Sequence, residues 1–168
     1  MDNTSEFIVR SILIGGGATI TMDVWAAVLR RFGVASLDFA LLGRWIAYIP
    51  RGRWRHESIA RTAPVRGERL IGWCAHYAIG ISFAGLLLLS FGLEWARVPT
   101  LLPALLIGVV TVLAPWFVLQ PALGAGIASS KTRTPVFNSL KSLITHTVFG
   151  VGLFIAAQGT ASFVSTGH

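Results

Sequence analysis

FIVRSILIGGGATITMDVWAAVL, residues 7–29, is the stretch that decides the architecture. It holds one cation, Arg10, and one acid, Asp23, in an otherwise apolar or small-residue run. A helix rises about 1.5 Å per residue, and about 20 such residues cross a ~30 Å hydrocarbon core. The run is therefore long enough to span a bilayer. Wound as a helix, it places Gly16, Thr19, Asp23, Ala26 and Arg30 along one stripe and Leu13, Ile20 and Trp25 opposite. Helices in lipid associate through close backbone approach and interhelical hydrogen bonds. The stripe and the triplet Gly15, Gly16 and Gly17 are thus expected to face other helices, and the leucine side to face lipid.

The rest of the chain repeats the signal. Hydrophobic residues make up 54% of the 168 positions and charged ones 12%, with a mean hydropathy of +0.68; this is a chain whose solvent is lipid. Further apolar runs predict spans over 70–93, 101–119 and 139–161. The expected fold is all-α, a polytopic membrane protein of four transmembrane helices in one domain over 1–168. Leu37–Ile49 has helical periodicity but is too short to cross; it reads as an amphipathic helix in the cytoplasmic interface, with Trp45 and Tyr48 at headgroup level. Pro115, inside the third span, predicts a kink and a freed carbonyl.

Charge orients the bundle. The formal net charge is +7, and nine of the fourteen basic residues lie between the first two spans: Arg30, Arg31, Arg44, Arg51, Arg53, Arg55, Arg61, Arg66 and Arg69. Lys131, Arg133 and Lys141 lie beside the fourth span, and only Arg10 and Arg97 remain for the other side. Loops rich in Lys and Arg stay cytoplasmic, which puts both termini on the non-cytoplasmic face. The 44–69 segment is expected to lie on anionic lipid rather than on nucleic acid, because its aromatic interleaving is confined to Trp54. The N-terminal residues before Phe7 are acidic rather than basic, so the first span reads as a retained helix. Arg10 is expected to snorkel outward. Cys74, the single cysteine, cannot form an intramolecular disulfide and reads as a buried packing thiol.

The two halves echo one another. Gly16-x-x-Thr19-x-x-x-Asp23 parallels Gly108-x-x-Thr111-x-x-x-Pro115, and His76-x-x-x-Gly80 parallels His146-x-x-x-Gly150. A parallel duplication of one helical hairpin accounts for both.

Ionisable groups inside a span are costly and mark functional candidates. Asp23, His76 and His146 each lie seven residues inside the cytoplasmic end of their spans, about 10 Å deep. One carboxylate and two imidazoles at a common level admit three readings. They relay protons, they bind a transition-metal ion as Asp23, His76 and His146, or they tie helices together with Thr19 as a further hydrogen-bonding group. Trp73 and Tyr77 read as interfacial aromatics, and Gln120 as a group that caps the kinked helix end. No organic cofactor motif is present, and no span carries a nucleophile, base and orienter at catalytic spacing. The leading expectation is a small membrane protein that binds or passes a proton or metal ion, as a homo-oligomer or beside another membrane protein. The alternative is an accessory or scaffold subunit without turnover.

The Gly15–Asp23 run, Pro115-Trp116-Phe117-x-x-Gln120-Pro121, and Thr134-Pro135 through His146-x-x-Phe149-Gly150 resemble a family of small four-span bacterial inner-membrane proteins of unknown function. The likeness covers nearly the full chain and implies an inner-membrane setting; it brings no activity and no site residues.

Overall fold

The computed structural model describes residues 2–164, with side chains through 161. Among them there is no strand. The chain runs α1 (Asn3–Arg31), a short α2 (Phe39–Tyr48), α3 (Glu68–Arg97), α4 (Leu101–Val110), a π turn (Pro115–Leu119), α5 (Gln120–Leu123) and α6 (Pro135–Val164). Four segments are long and apolar enough to cross a membrane: Asn3–Arg31, Glu68–Arg97, Leu101–Leu123 and Pro135–Ala161. This is a multi-pass membrane protein.

Local chemistry explains where the helices begin and end. Asp2 caps α1, accepting from the Ser5 N–H at 2.8 Å, and Arg30 and Arg31 lie in the last turn, where the helix dipole favours cations. Gly92, at φ +79°, breaks α3 one turn before its end. That left-handed residue turns Trp95 and Ala96 inward, where both are buried. The third span is interrupted because Pro115 and Pro121 lack the N–H groups that would serve Thr111 and Phe117. A π turn takes up the mismatch, with Gln120 N–H reaching Pro115 O. The carbonyl freed by Pro115, that of Thr111, does not stand open as expected; it accepts from the Ala114 N–H at 3.1 Å.

The main contacts among the spanning helices are α1 with α6, α1 with α3, and α4 with α6. Neighbours on two sides explain why the expected stripe on α1 is displaced. Gly16 faces no neighbour, and a Cβ there would meet nothing within 4 Å. The contact residues are Gly15, whose Cβ would lie 2.5 Å from Ile81 Cα of α3, and Gly17, whose Cβ would lie 2.8 Å from Ala156 Cβ of α6. Leu13 and Ile20 are exposed, as a lipid side requires, but Trp25 is half-buried with its indole N–H enclosed. Each hairpin has a glycine crossing: Gly15 against Gly80–Ile81, and Gly108 against Gly150, where a Cβ on Gly108 would lie 2.5 Å from the facing Cα. The duplication is not carried through the bundle, because α1 packs extensively on α6 whereas α3 barely meets α4.

The two ends of the bundle differ. At the end away from the basic loop, Ile14, Ala84, Leu87, Ala104, Leu153 and Ala157 form a fully buried core. Over it sits an ionic clasp: Arg10 Nε donates to Glu6 Oε1 at 2.8 Å and its Nη1 to Ala96 O at 2.9 Å, while Arg97 Nη2 reaches Glu6 Oε2 at 2.7 Å. Arg10 is 2% exposed and therefore does not snorkel outward; Glu6, one turn before it, and the α3 terminus supply its partners within the bundle.

At the other end α2 crosses α3 in backbone contact, Gly43 over Glu68 O and Gly72 under Phe39 O. Arg44, at the edge of the segment expected to bind lipid, is instead committed inward. It makes a two-point contact with Glu68 at 2.8 and 2.7 Å and donates to Ile59 O and Thr62 O. The hydrogen-bonded Glu68 carboxylate pushes the guanidinium pKa up. Arg51 and Arg53 stack over the buried Tyr48 ring at 4.9 and 5.3 Å, and His56 N–H docks the loop on Ala122 O at 2.9 Å. Arg44→Met should loosen this loop by about 1.5–3 kcal/mol, the worth of hydrogen bonds to charged groups. Trypsin should then cleave after Arg51–Arg61 roughly tenfold faster, while cleavage at Lys131 stays constant. An unchanged rate would show that the loop is held by Ile59 and Tyr48 packing alone.

Candidate functional site

Above the buried core the helices part around a cavity of about 560 Å³. Its lining reaches from Thr19, Gly80, Phe83 and Phe149 in the middle of the bundle to Ser36 and Lys141 at the basic end. The walls are mostly apolar, and four helical segments and α2 contribute to them. A volume in the roughly 300–1,000 Å³ range, apolar walls and few polar groups are what small-molecule sites share.

The polar groups come from residues one or two turns past the glycine crossings. Asp23 Oδ1 lies 3.0 Å from His76 Nε2, and Tyr77 donates its hydroxyl to Asp23 Oδ2 at 3.0 Å. A carboxylate only accepts, so Nε2 of His76 carries the proton in this contact. Phe39 of α2 stacks on the His76 ring at 4.1 Å, and Trp73 meets it edge-on at 5.9 Å. The imidazole is thus held on two sides by rings and on a third by Asp23. Asp23 keeps 21% of its side chain exposed, and both Asp23 and His76 line the cavity.

His146 lines the same cavity but makes a separate contact. Thr111 Oγ1 lies 2.7 Å from Gly108 O and 3.0 Å from His146 Nδ1. The single hydroxyl proton goes to the carbonyl, which cannot donate, so Nδ1–H of His146 donates to Thr111. This leaves the lone pair on Nε2. Thr19 does not reach Asp23; it donates to Gly15 O at 2.7 Å and fills the crossing against Gly80. Gln120 does more than cap: its Nε2 donates to Ser142 at 3.1 Å, and its buried Oε1 has no partner among the described residues. Cys74 is exposed, not a buried thiol, because it lies on the α3 face turned away from His76.

A model of one protein family matches residues 12–159. The chain belongs to the family described as Protein of unknown function (DUF2938). No curated protein and no solved structure matches it. The part shared with the DUF2938 model holds Asp23, His76, Tyr77, Thr111 and His146, and leaves out Glu6 and Arg10 of the clasp.

As a metal centre, the cluster around Asp23 is short of ligands. Asp23 and His76 are in contact, but among the described residues no group of three His, Cys, Asp or Glu is placed to hold an ion. Phe39, Tyr77 and Thr111 are the members of the site that sequence reading undervalued. Tyr77 follows His76 directly and Thr111 belongs to the repeated pattern, so both had a signal; Phe39 had none, since only the α2–α3 crossing delivers it.

Proposed function

We propose that this protein binds a small species in its intramembrane cavity and passes a proton between that cavity and the cytoplasm through Asp23 and His76. The observation that carries the reading is the 3.0 Å Asp23–His76 contact opening on a cavity of about 560 Å³. A carboxylate and an imidazole in direct contact exchange a proton with little rearrangement, and Tyr77 holds the carboxylate in place. The alternative cargo, a transition-metal ion, has less support, because two protein ligands leave the ion's remaining positions to water. The exposed Arg51, Arg53, Arg55, Arg61, Arg66 and Arg69 support a cytoplasmic setting for this end, on anionic lipid of a bacterial inner membrane, with both termini on the other side. The clasp at Glu6, Arg10 and Arg97 closes the opposite end, so the state described is one open toward the basic side.

The test is proton flux in vesicles with a trapped pH dye. Asp23→Asn keeps the shape and the Tyr77 contact but removes the proton-accepting charge, and should reduce flux by about 10²-fold or more, the upper part of what a positioned acid–base group contributes. His76→Gln should act in the same direction. Wild-type flux in both variants would sink the proposal.

A further inference from the structure

Among the described residues, the cavity lining holds one acid, Asp23, and acceptors that have no partner in the bundle. Several of its donors are used within the bundle: His76 Nε2–H and the Tyr77 hydroxyl on Asp23, the Thr19 hydroxyl on Gly15 O, the Thr111 hydroxyl on Gly108 O, and one Gln120 Nε2–H on Ser142. Lys141, the one cationic side chain in the lining, turns Nζ to Ala35 O at 2.7 Å. The acceptors are not used up. The Asp23 carboxylate remains partly exposed, His146 Nε2, in a residue that lines the cavity, carries a lone pair with no hydrogen bond among the described residues, and Gln120 Oε1 is buried and unpartnered. A ligand that satisfies these groups has to donate hydrogen bonds.

The walls define the rest of it. Met22, Leu42, Ile79, Phe83, Val118 and Phe149 line most of the volume, so the ligand is largely apolar. Aromatic ring faces attract a cation where carboxylates pair with it. A proton relay alone has no need of about 560 Å³ of apolar space, and a carboxylate ligand would set negative charge against Asp23.

We propose that the cavity is the site of a small organic ammonium, its N–H groups on Asp23, His146 and Gln120 and its apolar body among the aromatic and aliphatic walls. This rests on the reading of the cavity as a binding site and names the class of molecule it takes. The ammonium and the transferable proton then share one carboxylate, so that each weakens the hold of the other.

The experiment uses the full chain in nanodiscs of phosphatidylcholine and phosphatidylglycerol, which keeps lipid primary amines out. Binding of 4-phenylbutylamine, 4-phenylbutanol and 4-phenylbutyrate is measured calorimetrically, the three sharing one apolar body. The amine should bind about tenfold or more tighter than the alcohol, as a charge-assisted hydrogen bond provides, and the acid should bind weakest. In Asp23→Asn the amine should fall to the alcohol's affinity while the alcohol is unaffected; Gln120→Met should weaken the amine by a smaller factor. Equal affinity of amine and alcohol for the wild-type protein, or preference for the acid, overturns the ammonium site and leaves a small-solute cavity standing. Failure of all three to bind overturns the cavity as a ligand site, whereas the proton reading is decided separately by the flux assay. If Asp23→Asn does not fold, the wild-type ranking alone decides.

Discussion

Gly15→Val should unfold or loosen the bundle, whereas the neighbouring Gly16→Ala should leave it unchanged or firmer. A Cβ on Gly15 would lie 2.5 Å from Ile81 Cα and 2.7 Å from Gly80 O. Those are backbone atoms, which can yield only if α1 and α3 move apart. Overpacking of this kind costs about 1–3 kcal/mol for modest additions, and valine adds two further methyl groups at a crossing with no slack. Separation at Gly15 also shifts Asp23, two turns on, relative to His76. The same substitution should therefore reduce proton flux even where the protein remains folded. Gly16 borders open space, and an alanine there gains up to about 1 kcal/mol of helix propensity. Thermal unfolding in mild detergent, followed by tryptophan fluorescence, separates the pair. Similar midpoints for the two variants would show that the glycine crossing does not position these helices.

Glu6→Gln should be about as damaging at the opposite end. Arg10 is 2% exposed and its Nε is held by Glu6; the amide replacement leaves a buried guanidinium without its charge partner. Removing one member of a buried pair costs about 3–5 kcal/mol. Replacing both, as Glu6→Gln with Arg10→Met, removes the unpaired charge and should restore most of that loss. The double variant should thus unfold at a higher temperature than Glu6→Gln alone, a non-additivity of the kind expected for residues in contact. Additive effects would mean that Arg97 and Ala96 O hold Arg10 without help from Glu6.

The contrast between neighbouring glycines also shows what a linear pattern conveys. Apolar run length marked the four spanning segments and the short α2, since the hydrocarbon core sets a length that any span has to meet. The third span runs on to Leu123 rather than ending at 119, because a π turn after the kink at Pro115 lets the helix continue through Pro121. Depth along the helix was legible for Asp23 and His76, as both depend only on rise per residue. Rotation was not. Gly16 and Gly15 differ by one position and about 100°, and which of them meets α3 depends on where α6 sits as well.

The sequence by itself determined that this chain crosses a bilayer four times, that its positive charge is gathered at one end, and that an acid and two histidines lie at one depth. These follow from composition, length and period, which need no partner. Only the tertiary structure decided that Asp23 pairs with His76 and Tyr77 while His146 pairs with Thr111, that Arg10 turns inward to Glu6, and that a largely apolar cavity lined by Asp23 opens between the helices. Each of those depends on helix rotation and crossing angle, set by backbone contacts at Gly15, Gly80, Gly108 and Gly150 between residues far apart in the chain.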